Sequence, residues 1–461
     1  MPYLLNLIYL LLLLLAAPWL VWSAWRKGKY RRGWAEKFFG RVPISPDDGR
    51  PCVWLHGVSV GEVNLLPMLV RAITERHPGW RCVISTTTRT GMDLARRRFP
   101  EYTVFHCPLD FTWATAAAMR RLRPDLLVLA ELELWPNLIR AARRRGTRVA
   151  VINGRLSENS FRGYRRVRWL LPGLFARLDL VAVQDSVYAE RFTALGVPAD
   201  RVHVTGSMKF DGAPTDRDNP KTRDLAALAG FREGHVVFLA GSTQEPEERI
   251  ALEVFQRLRG EYPPLRLVIV PRHPERFDEV ARLLDRSGLP WRRRSELDAE
   301  KSDPPQADNL LSEERGVSPA ARPPTSDVPH PTSNSLLVDT VGELGAWWGT
   351  AAIAYVGGSM GSRGGQNMIE PAAYGAAVSF GPNTRNFRDI VAALRRYDAA
   401  VVVQDVPALE AFVRRCLDQP DWAAAMGRRA QHLVLDQQGA TDRTVELLGR
   451  ALPRDPRYAS R

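Results

Sequence analysis

Residues 53–62 read VWLHGVSVGE, and this stretch decides the fold that we expect for the chain. Its first residues, 53–55, form a short continuous apolar run that is typical of a strand buried on both faces. Gly57 and Gly61 allow the backbone to turn closely and to admit a ligand, and we expect a helix to begin near Glu62. The stretch therefore predicts the strand, turn and helix start of a βαβ unit.

Similar strand and helix segments alternate along the rest of the chain. Further strands of the first half are predicted at residues 81–85, 103–105, 126–130, 149–152 and 180–183. Helices are predicted between them at residues 64–76, 91–97 and 138–145. The strand pattern starts again at residues 236–240, 267–270, 336–338, 353–356 and 377–380. Short apolar strands that alternate with helices indicate parallel units, so we predict an α/β fold of two doubly wound, Rossmann-like domains.

The domain boundaries follow from changes in composition. We predict a first domain at residues 51–215 and a second at residues 216–450, joined near a stretch rich in Pro and Asp, with a tail at 451–461. Residues 295–335 are rich in proline and lack apolar periodicity, which predicts a disordered insertion in the second domain. Open parallel sheets bind ligands at the carboxyl ends of their strands, so we expect the site in a cleft between the domains.

The amino terminus has the composition of a membrane anchor. Residues 4–25 carry no charge, and about 20 apolar residues suffice for a helix to cross a bilayer. Three tryptophans stand at the end of this run, where an interfacial belt would lie: Trp19, Trp22 and Trp25. We predict an uncleaved anchor at residues 1–25, followed by a basic linker at 26–50 that places the body in the cytoplasm. A cleaved signal peptide and a deeply inserted monotopic helix are the alternatives.

Charge and short motifs narrow the class of partner. The 64 basic minus 51 acidic residues give a net charge of +13, which implies an anionic partner. The four cysteines show no CxxC spacing, which argues against a zinc site or a disulfide framework. The sequence has no GxxxxGK[ST] or HExxH motif and no nucleic-acid-binding motif. We therefore expect anionic membrane lipids and phosphorylated substrates as partners, and no nucleic acid.

Acidic and basic residues follow predicted strands of the first half. Glu62 stands near His56 and is either a partner of the helix dipole or a general base. Glu131 and Glu133 come directly after a buried strand and are either structural ion-pair members or paired carboxylates of a site. Lys209 is either an ordinary surface residue or the holder of a phosphate or a developing negative charge.

The second half carries a different set of candidates. Arg272 follows a predicted strand, where its guanidinium fork suits a phosphate. A glycine-rich loop at residues 357–365 is predicted to present backbone N–H groups to an anion. Glu370, just inside the helix that follows, could accept hydrogen bonds from a ribose diol.

Seven blocks of the sequence resemble the 3-deoxy-D-manno-octulosonic acid (Kdo) transferases, glycosyltransferase family 30. In chain order these blocks read WLHGVSVGEV, ELELWPN, INGRLSENSFRGY, GSMKFD, VPRHPERF, DTVGELGAWW and VGGSMGSRGGQNMIEP. The resemblance implies a GT-B fold, CMP-Kdo as the donor substrate and a lipid A precursor as the acceptor. It also implies an inner-membrane location, no cofactor and no metal. The alternative is a GT-B transferase that uses a UDP-sugar.

The resemblance also assigns roles to residues by position. It implies that Glu62 is the general base of an inverting transfer and that Glu131 and Lys209 stabilise the transition state. It implies donor binding by nine residues: Pro271, Arg272, Val341, Gly342, Glu343, Asn367, Met368, Ile369 and Glu370.

Overall fold

The computed structural model describes residues 2–27, 33–44, 46, 48–297 and 333–452. This part of the chain forms two compact units, one of residues up to Gly212 together with those from Gln437 onward, and one of Ala213–Asp436. Most of the predicted insertion at 295–335, and nearly all of the predicted tail at 451–461, lie outside the described residues.

The first unit contains a parallel sheet of seven strands. In chain order they are β1 Cys52–His56, β2 Arg81–Thr86, β3 Thr103–His106, β4 Leu126–Ala130, β5 Arg148–Gly154, β6 Leu180–Val183 and β7 Val202–Val204. Their order in the sheet is β3-β2-β1-β4-β5-β6-β7, so the strand order reverses between β1 and β4. Leu55 pairs with Val128 there, and His56 pairs with Leu129. The turns after β1 and β4 therefore leave the sheet side by side, at the switch point where such sheets bind ligands.

Helices cover both faces of this sheet. In chain order they are α1 Pro2–Lys27, α2 Trp34–Phe39, α3 Val60–Val63, α4 Leu66–Arg76, α5 Arg89–Arg98, α6 Thr112–Leu122, α7 Pro136–Arg144, α8 Glu158–Val167, α9 Ser186–Ala194 and the C-terminal helix Ala440–Ala451. Successive strand residues enter opposite cores, since Trp54 joins one buried cluster and Leu55 the other. Each large apolar side chain buried in this way stabilises the fold by about 1.5–3 kcal/mol.

The C-terminal helix corrects the predicted domain boundary. We expected residues up to 450 in the second domain, but Val445 and Leu448 of this helix are buried in one cluster with Leu66 and Leu69 of α4. The Asp211 carboxylate also accepts a hydrogen bond of 2.7 Å from the N–H of Gly439, just before the helix. The chain thus returns to the first unit because the apolar face of its last helix completes a core there.

The second unit repeats the architecture with seven parallel strands. They are β8 Val236–Thr243, β9 Leu265–Pro271, β10 Trp291–Arg293, β11 Ser335–Leu337, β12 Ile353–Val356, β13 Ala377–Phe380 and β14 Ala400–Val402. Their order is β10-β11-β9-β8-β12-β13-β14, with the reversal between β8 and β12. The helices are α10 Pro220–Leu228, α11 Glu247–Leu258, α12 Phe277–Arg286, Leu344–Trp347, Ile369–Ala373, Arg388–Arg396, Val406–Asp418 and Pro420–Gln437.

The predicted α/β fold of two doubly wound domains is confirmed, and the strands that were missed share one property. β7, β10 and β14 each have three residues, and each lies at an edge of its sheet. Their side chains are mostly half-buried, so they lack the continuous apolar run that marks the inner strands.

The anchor prediction corresponds to helix α1. Among the described residues it is the one helix long and apolar enough to cross a membrane, a statement that concerns length and composition only.

Candidate active site

Glu62 is held by the turn that follows β1. Its carboxylate accepts hydrogen bonds from the N–H of Val58, from the N–H of Ser59 at 3.2 Å and from the Ser59 hydroxyl at 3.1 Å. The Ser59 hydroxyl in turn caps α3 through the N–H of Glu62, which makes a capping box. A side chain at Gly57 would come within 3.1 Å of the Glu62 Cβ, so glycine leaves room for this close approach.

Glu131 lies in the neighbouring turn, after β4. Its backbone adopts φ of +55°, a left-handed conformation that directs the chain sharply away from the sheet. Its Oε1 lies 2.9 Å from the Lys209 Nζ and accepts a long hydrogen bond of 3.5 Å from the Asn153 Nδ2. Two predicted site residues that are far apart in sequence, Glu131 and Lys209, are therefore paired in the structure.

Asn153 is a residue of this cluster to which sequence analysis gave no role. It is the last but one residue of β5, has φ of +50° and is fully buried. Its Oδ1 accepts a hydrogen bond of 3.1 Å from the N–H of Met208, next to Lys209, while its Nδ2 reaches Glu131. Its position in the sequence INGR, at the carboxyl end of a predicted strand, is the feature that could have indicated a role in the site.

Burial, together with the charge of a neighbouring carboxylate, raises the pKa of Glu62 and of Glu133. Burial, and then the charge of Glu131, raises the pKa of Glu62, while hydrogen bonds from Val58 and Ser59 oppose the shift. Burial, and then the charge of Glu62, raises the pKa of Glu133 to about 7. Of the two interpretations, Glu131 shows the ion pair, with Lys209, while Glu133 is held by a 3.0 Å hydrogen bond from the Trp135 indole.

His56 belongs to the core of the sheet. It is fully buried, and its Nδ1 lies 2.9 Å from the Ser85 hydroxyl of β2. Burial lowers the pKa of His56 to about 4, so the imidazole is neutral at physiological pH. This histidine therefore brings no positive charge to the neighbourhood of Glu62.

Three N–H groups at the start of the glycine-rich loop form hydrogen bonds within the second unit, which corrects our expectation for that part of the loop. The buried Glu247 carboxylate accepts hydrogen bonds from the N–H groups of Gly358, Ser359 and Met360 at 2.7, 2.9 and 2.9 Å. It also accepts one of 3.0 Å from the Tyr355 hydroxyl. A buried carboxylate requires such donors, so these amides are not available to a bound anion.

Glu370, Asn367 and Arg272 form a second group of predicted residues. The Asn367 Nδ2 donates a hydrogen bond of 3.0 Å to the Glu370 carboxylate, and its Oδ1 accepts one from the N–H of Ile369. Burial raises the pKa of Glu370, and the charge of Arg272 counteracts this shift. Arg272 follows Pro271, the last residue of β9, and is exposed. Met368, another predicted donor residue, is fully buried.

Glu343 has a different environment from the other predicted donor residues. Its carboxylate forms two hydrogen bonds with the Arg294 guanidinium, of 3.0 and 2.9 Å, and accepts one of 2.7 Å from the Thr340 hydroxyl. The side chain thus holds the turn together, while the preceding Val341 is 78% exposed and Gly342 has φ of +91°. The turn at Val341 and Gly342 is exposed and available to a ligand, and donor binding by Glu343 stays a prediction.

The predicted residues fall into two groups, one in each unit. Within the described parts of the chain, no group of three or more His, Cys, Asp or Glu side chains is arranged to hold a metal ion. That the reaction needs no metal stays a prediction.

Comparison with known proteins identifies relatives of the whole chain. The profile of the 3-deoxy-D-manno-octulosonic-acid transferase (kdotransferase) family matches residues 32–212. A 3-deoxy-D-manno-octulosonic acid transferase of Bordetella pertussis is 33% identical over 459 residues, covering 96% of this chain and 98% of the relative. The Haemophilus influenzae protein of the same name is 30% identical over 432 residues, covering 93% of each chain.

A solved structure shows the same fold. The UDP-GlcNAc 2-epimerase of Neisseria meningitidis, solved with UDP-GlcNAc bound, superposes with a TM-score of 0.52 at 13% identity, covering 87% of this chain and 100% of that one. At this identity the likeness concerns the fold alone. It agrees with the expected GT-B architecture of two Rossmann-like domains.

Proposed function

This chain belongs to the family of Kdo transferases, and we propose that it transfers Kdo from CMP-Kdo to a lipid A precursor, lipid IVA, with inversion. The proposed step is part of lipopolysaccharide core biosynthesis at the cytoplasmic face of the inner membrane. CMP-Kdo is a substrate, and the proposed reaction uses no metal ion and no cofactor.

The observation that carries the proposal is the half-buried Glu62 carboxylate at the switch point of the first sheet. Its raised pKa makes the ionised carboxylate a better proton acceptor than that of an exposed glutamate. In the proposed step, Glu62 takes the proton of the acceptor hydroxyl, and the oxygen attacks the anomeric carbon of Kdo. The bond from that carbon to the phosphate oxygen breaks, and CMP leaves with the electron pair from the opposite face.

The ion pair of Glu131 and Lys209 supports the same step. An ammonium group held at 2.9 Å from a carboxylate has a fixed position, so it needs little reorganisation when negative charge develops on the reactants. We assign Lys209 the stabilisation of that charge, and Glu131 the orientation of Lys209.

Donor binding is assigned to the second unit. The exposed Arg272 suits the CMP phosphate because a guanidinium offers two parallel donors. Glu370, oriented by Asn367, is assigned to the ribose hydroxyls. The exposed turn at Val341 and Gly342 is assigned to backbone contacts with the nucleotide.

A donor panel tests this function. Purified protein in detergent micelles is incubated with lipid IVA and either CMP-Kdo or a set of UDP-sugars. The mass of the lipid product is then measured by mass spectrometry. We expect a mass increase that corresponds to whole Kdo residues, and only with CMP-Kdo. Turnover of a UDP-sugar without turnover of CMP-Kdo would support the alternative donor and contradict our proposal.

A further inference from the structure

Helix α1 has two unlike faces. Leu7, Leu11 and Leu14 recur at helical spacing and are 63%, 56% and 71% exposed. Asn6 and Tyr9 lie on the other side, and Asn6 is buried to 6% exposure. In a helix surrounded by lipid on all sides, a buried amide would have no polar partner. The face that carries Asn6 and Tyr9 therefore packs against protein.

The docking contacts of Asn6 use both ends of its amide. Its Nδ2 donates a hydrogen bond of 2.7 Å to the Thr112 hydroxyl, and its Oδ1 accepts one of 3.1 Å from the N–H of Thr112. The buried Asn137 side chain donates a third, of 3.4 Å, to the same oxygen. An amide left without partners in hydrocarbon costs several kcal/mol, and these bonds avoid that cost.

Tyr9 adds a second connection one turn further along the helix. Its hydroxyl donates a hydrogen bond of 3.1 Å to the buried Asp110 carboxylate. Asp110 also accepts hydrogen bonds from the N–H groups of Asn137 and Leu138, at the start of α7. The Tyr9 ring packs edge-on against Phe111 at 6.1 Å. The amino-terminal half of α1 is therefore attached to the globular part of the first unit.

This attachment is incompatible with a simple bilayer crossing. The Phe38 ring, beyond the anchor, also packs against Phe111, at 6.4 Å. Tyr9 and Lys27 are separated by roughly 27 Å along a helix, which is close to the thickness of a hydrocarbon core. If α1 crossed the bilayer with the body on the side of Lys27, Tyr9 would lie near the opposite leaflet, far from Phe111.

We propose that α1 is a monotopic helix that lies in the plane of the membrane, docked on the first unit through Asn6 and Tyr9, with its leucine face among the acyl chains. Each exposed leucine that enters the lipid contributes about 1.5–3 kcal/mol to membrane binding. The tryptophans at the end of the helix, and Arg26 after them, suit the headgroup region of an anionic bilayer. This inference goes beyond the proposed reaction and does not depend on it.

Labelling of cysteines from the two sides of the membrane tests the topology. The four native cysteines are buried, so a cysteine introduced at an exposed position reports its own accessibility. Full-length Tyr3→Cys and Tyr397→Cys proteins, each altered at an exposed residue, are treated with an impermeant maleimide in intact cells and in inside-out vesicles. We expect Tyr397→Cys to label only from the side of the body. Tyr3→Cys lies on the leucine face among the acyl chains, and we expect it to label from neither side. Labelling of Tyr3→Cys and Tyr397→Cys from opposite sides would overturn the proposal.

A disulfide test examines the docking itself in native membranes. The pair Asn6→Cys and Thr112→Cys replaces two side chains in direct contact, and we expect oxidation to cross-link most of the protein. The matched pair Leu7→Cys and Thr112→Cys places the first cysteine on the lipid face, and we expect a cross-linking yield about 10-fold lower. Equal yields from the two pairs, or no cross-link in the first, would show that α1 is not docked.

Discussion

Glu62 has two tasks that sequence analysis treated as alternatives. Its carboxylate is part of the capping box with Ser59, as the helix-dipole interpretation requires. Its raised pKa and its position beside Glu131 also suit a general base. The two tasks are compatible because the same hydrogen bonds that cap α3 hold the carboxylate in one orientation.

Replacement of this carboxylate separates the two tasks. We expect Glu62→Gln to lower kcat about 10²- to 10⁴-fold, because a general base contributes that much. Stability should change by less than about 1 kcal/mol, because Gln also satisfies a capping box. The control Glu75→Gln, at an exposed position of α4, should keep full activity. Unchanged turnover in Glu62→Gln would exclude Glu62 as the base.

Glu133 should make stability depend on pH. Its pKa is about 7 in the folded protein and near the usual 4.5 when unfolded, so the folded state binds more protons between these values. The free energy of unfolding therefore falls as the pH rises through that window. Urea unfolding at about pH 5 and about pH 8 measures the fall. The full shift corresponds to about 2.5 kcal/mol over this pH range, and because solvent screens this partly exposed side chain we expect Glu133→Gln to reduce the fall by about 1–2 kcal/mol.

The same experiment needs two comparisons. Burial also raises the pKa of Asp110 to about 7, but this contribution is present in both proteins and cancels in their difference. The exposed Glu75→Gln should show the pH dependence of the unaltered protein. An identical pH dependence in Glu133→Gln would contradict the raised pKa of Glu133.

At the scale of elements, the turn after β5 organises its neighbours. Asn153 connects the end of β5 to Met208 and to Glu131, so one side chain sets the spacing between the turns that carry Glu131 and Lys209. Asn153 contacts no reacting atom in the proposed step and is a positioning residue.

Removal of that side chain tests the positioning role. Asn153→Gly tolerates the left-handed backbone, and we expect kcat to fall about 10- to 100-fold through misplacement of Lys209, with little change in the KM for the donor. Asn159→Gly, at an exposed residue of α8, is the control. A rise in donor KM with unchanged kcat would argue against this role.

The loop after β12 depends on a single carboxylate. In Glu247→Gln, one oxygen that accepts from loop N–H groups is replaced by an NH₂ group that faces the same donors. We expect the variant to lose about 2–4 kcal/mol of stability, measured by urea unfolding. Glu253→Gln, on the same helix but with a partly exposed side chain, should lose less than about 0.5 kcal/mol. Equal stability of the two variants would mean that Glu247 does not hold the loop.

At the scale of the whole molecule, the last helix of the chain packs into the first unit. The C-terminal helix buries Leu448 against α4, although more than two hundred residues of the second unit separate them in sequence. Long-range packing of this kind makes the first unit depend on the end of the chain.

Truncation of one side chain tests this dependence. Leu448→Ala should cost about 2–5 kcal/mol and reduce hydrogen-exchange protection in peptides of α4, while second-unit peptides keep theirs. Leu435→Ala, at an exposed position of the helix Pro420–Gln437, should leave both units unchanged. Loss of protection in second-unit peptides alone would contradict the assignment of this helix.

Much of the fold could be predicted because inner strands have a local signal. The run 126–130 is apolar at every position and forms β4 with all five residues buried. The edge strand β14 has half-buried side chains and no such signal. The hydrogen-bond partners of a side chain could not be predicted in the same way. Glu343 bonds to Arg294, and Glu247 bonds to the loop at Gly358, and folding alone brings these partners together.

The sequence by itself determined the two Rossmann-like domains and the family, because these depend on local periodicity and on contiguous motifs. The roles that it implies for the site residues stay predictions. Tertiary structure alone decided which carboxylates shift the pKa of a neighbour, which N–H groups of the glycine-rich loop bond to Glu247, and which core the last helix completes. It also decided that Asn6 and Tyr9 attach α1 to the first unit. The reason is physical: burial, pKa shifts and hydrogen-bond partners depend on residues brought together from distant parts of the chain, and composition does not encode that proximity.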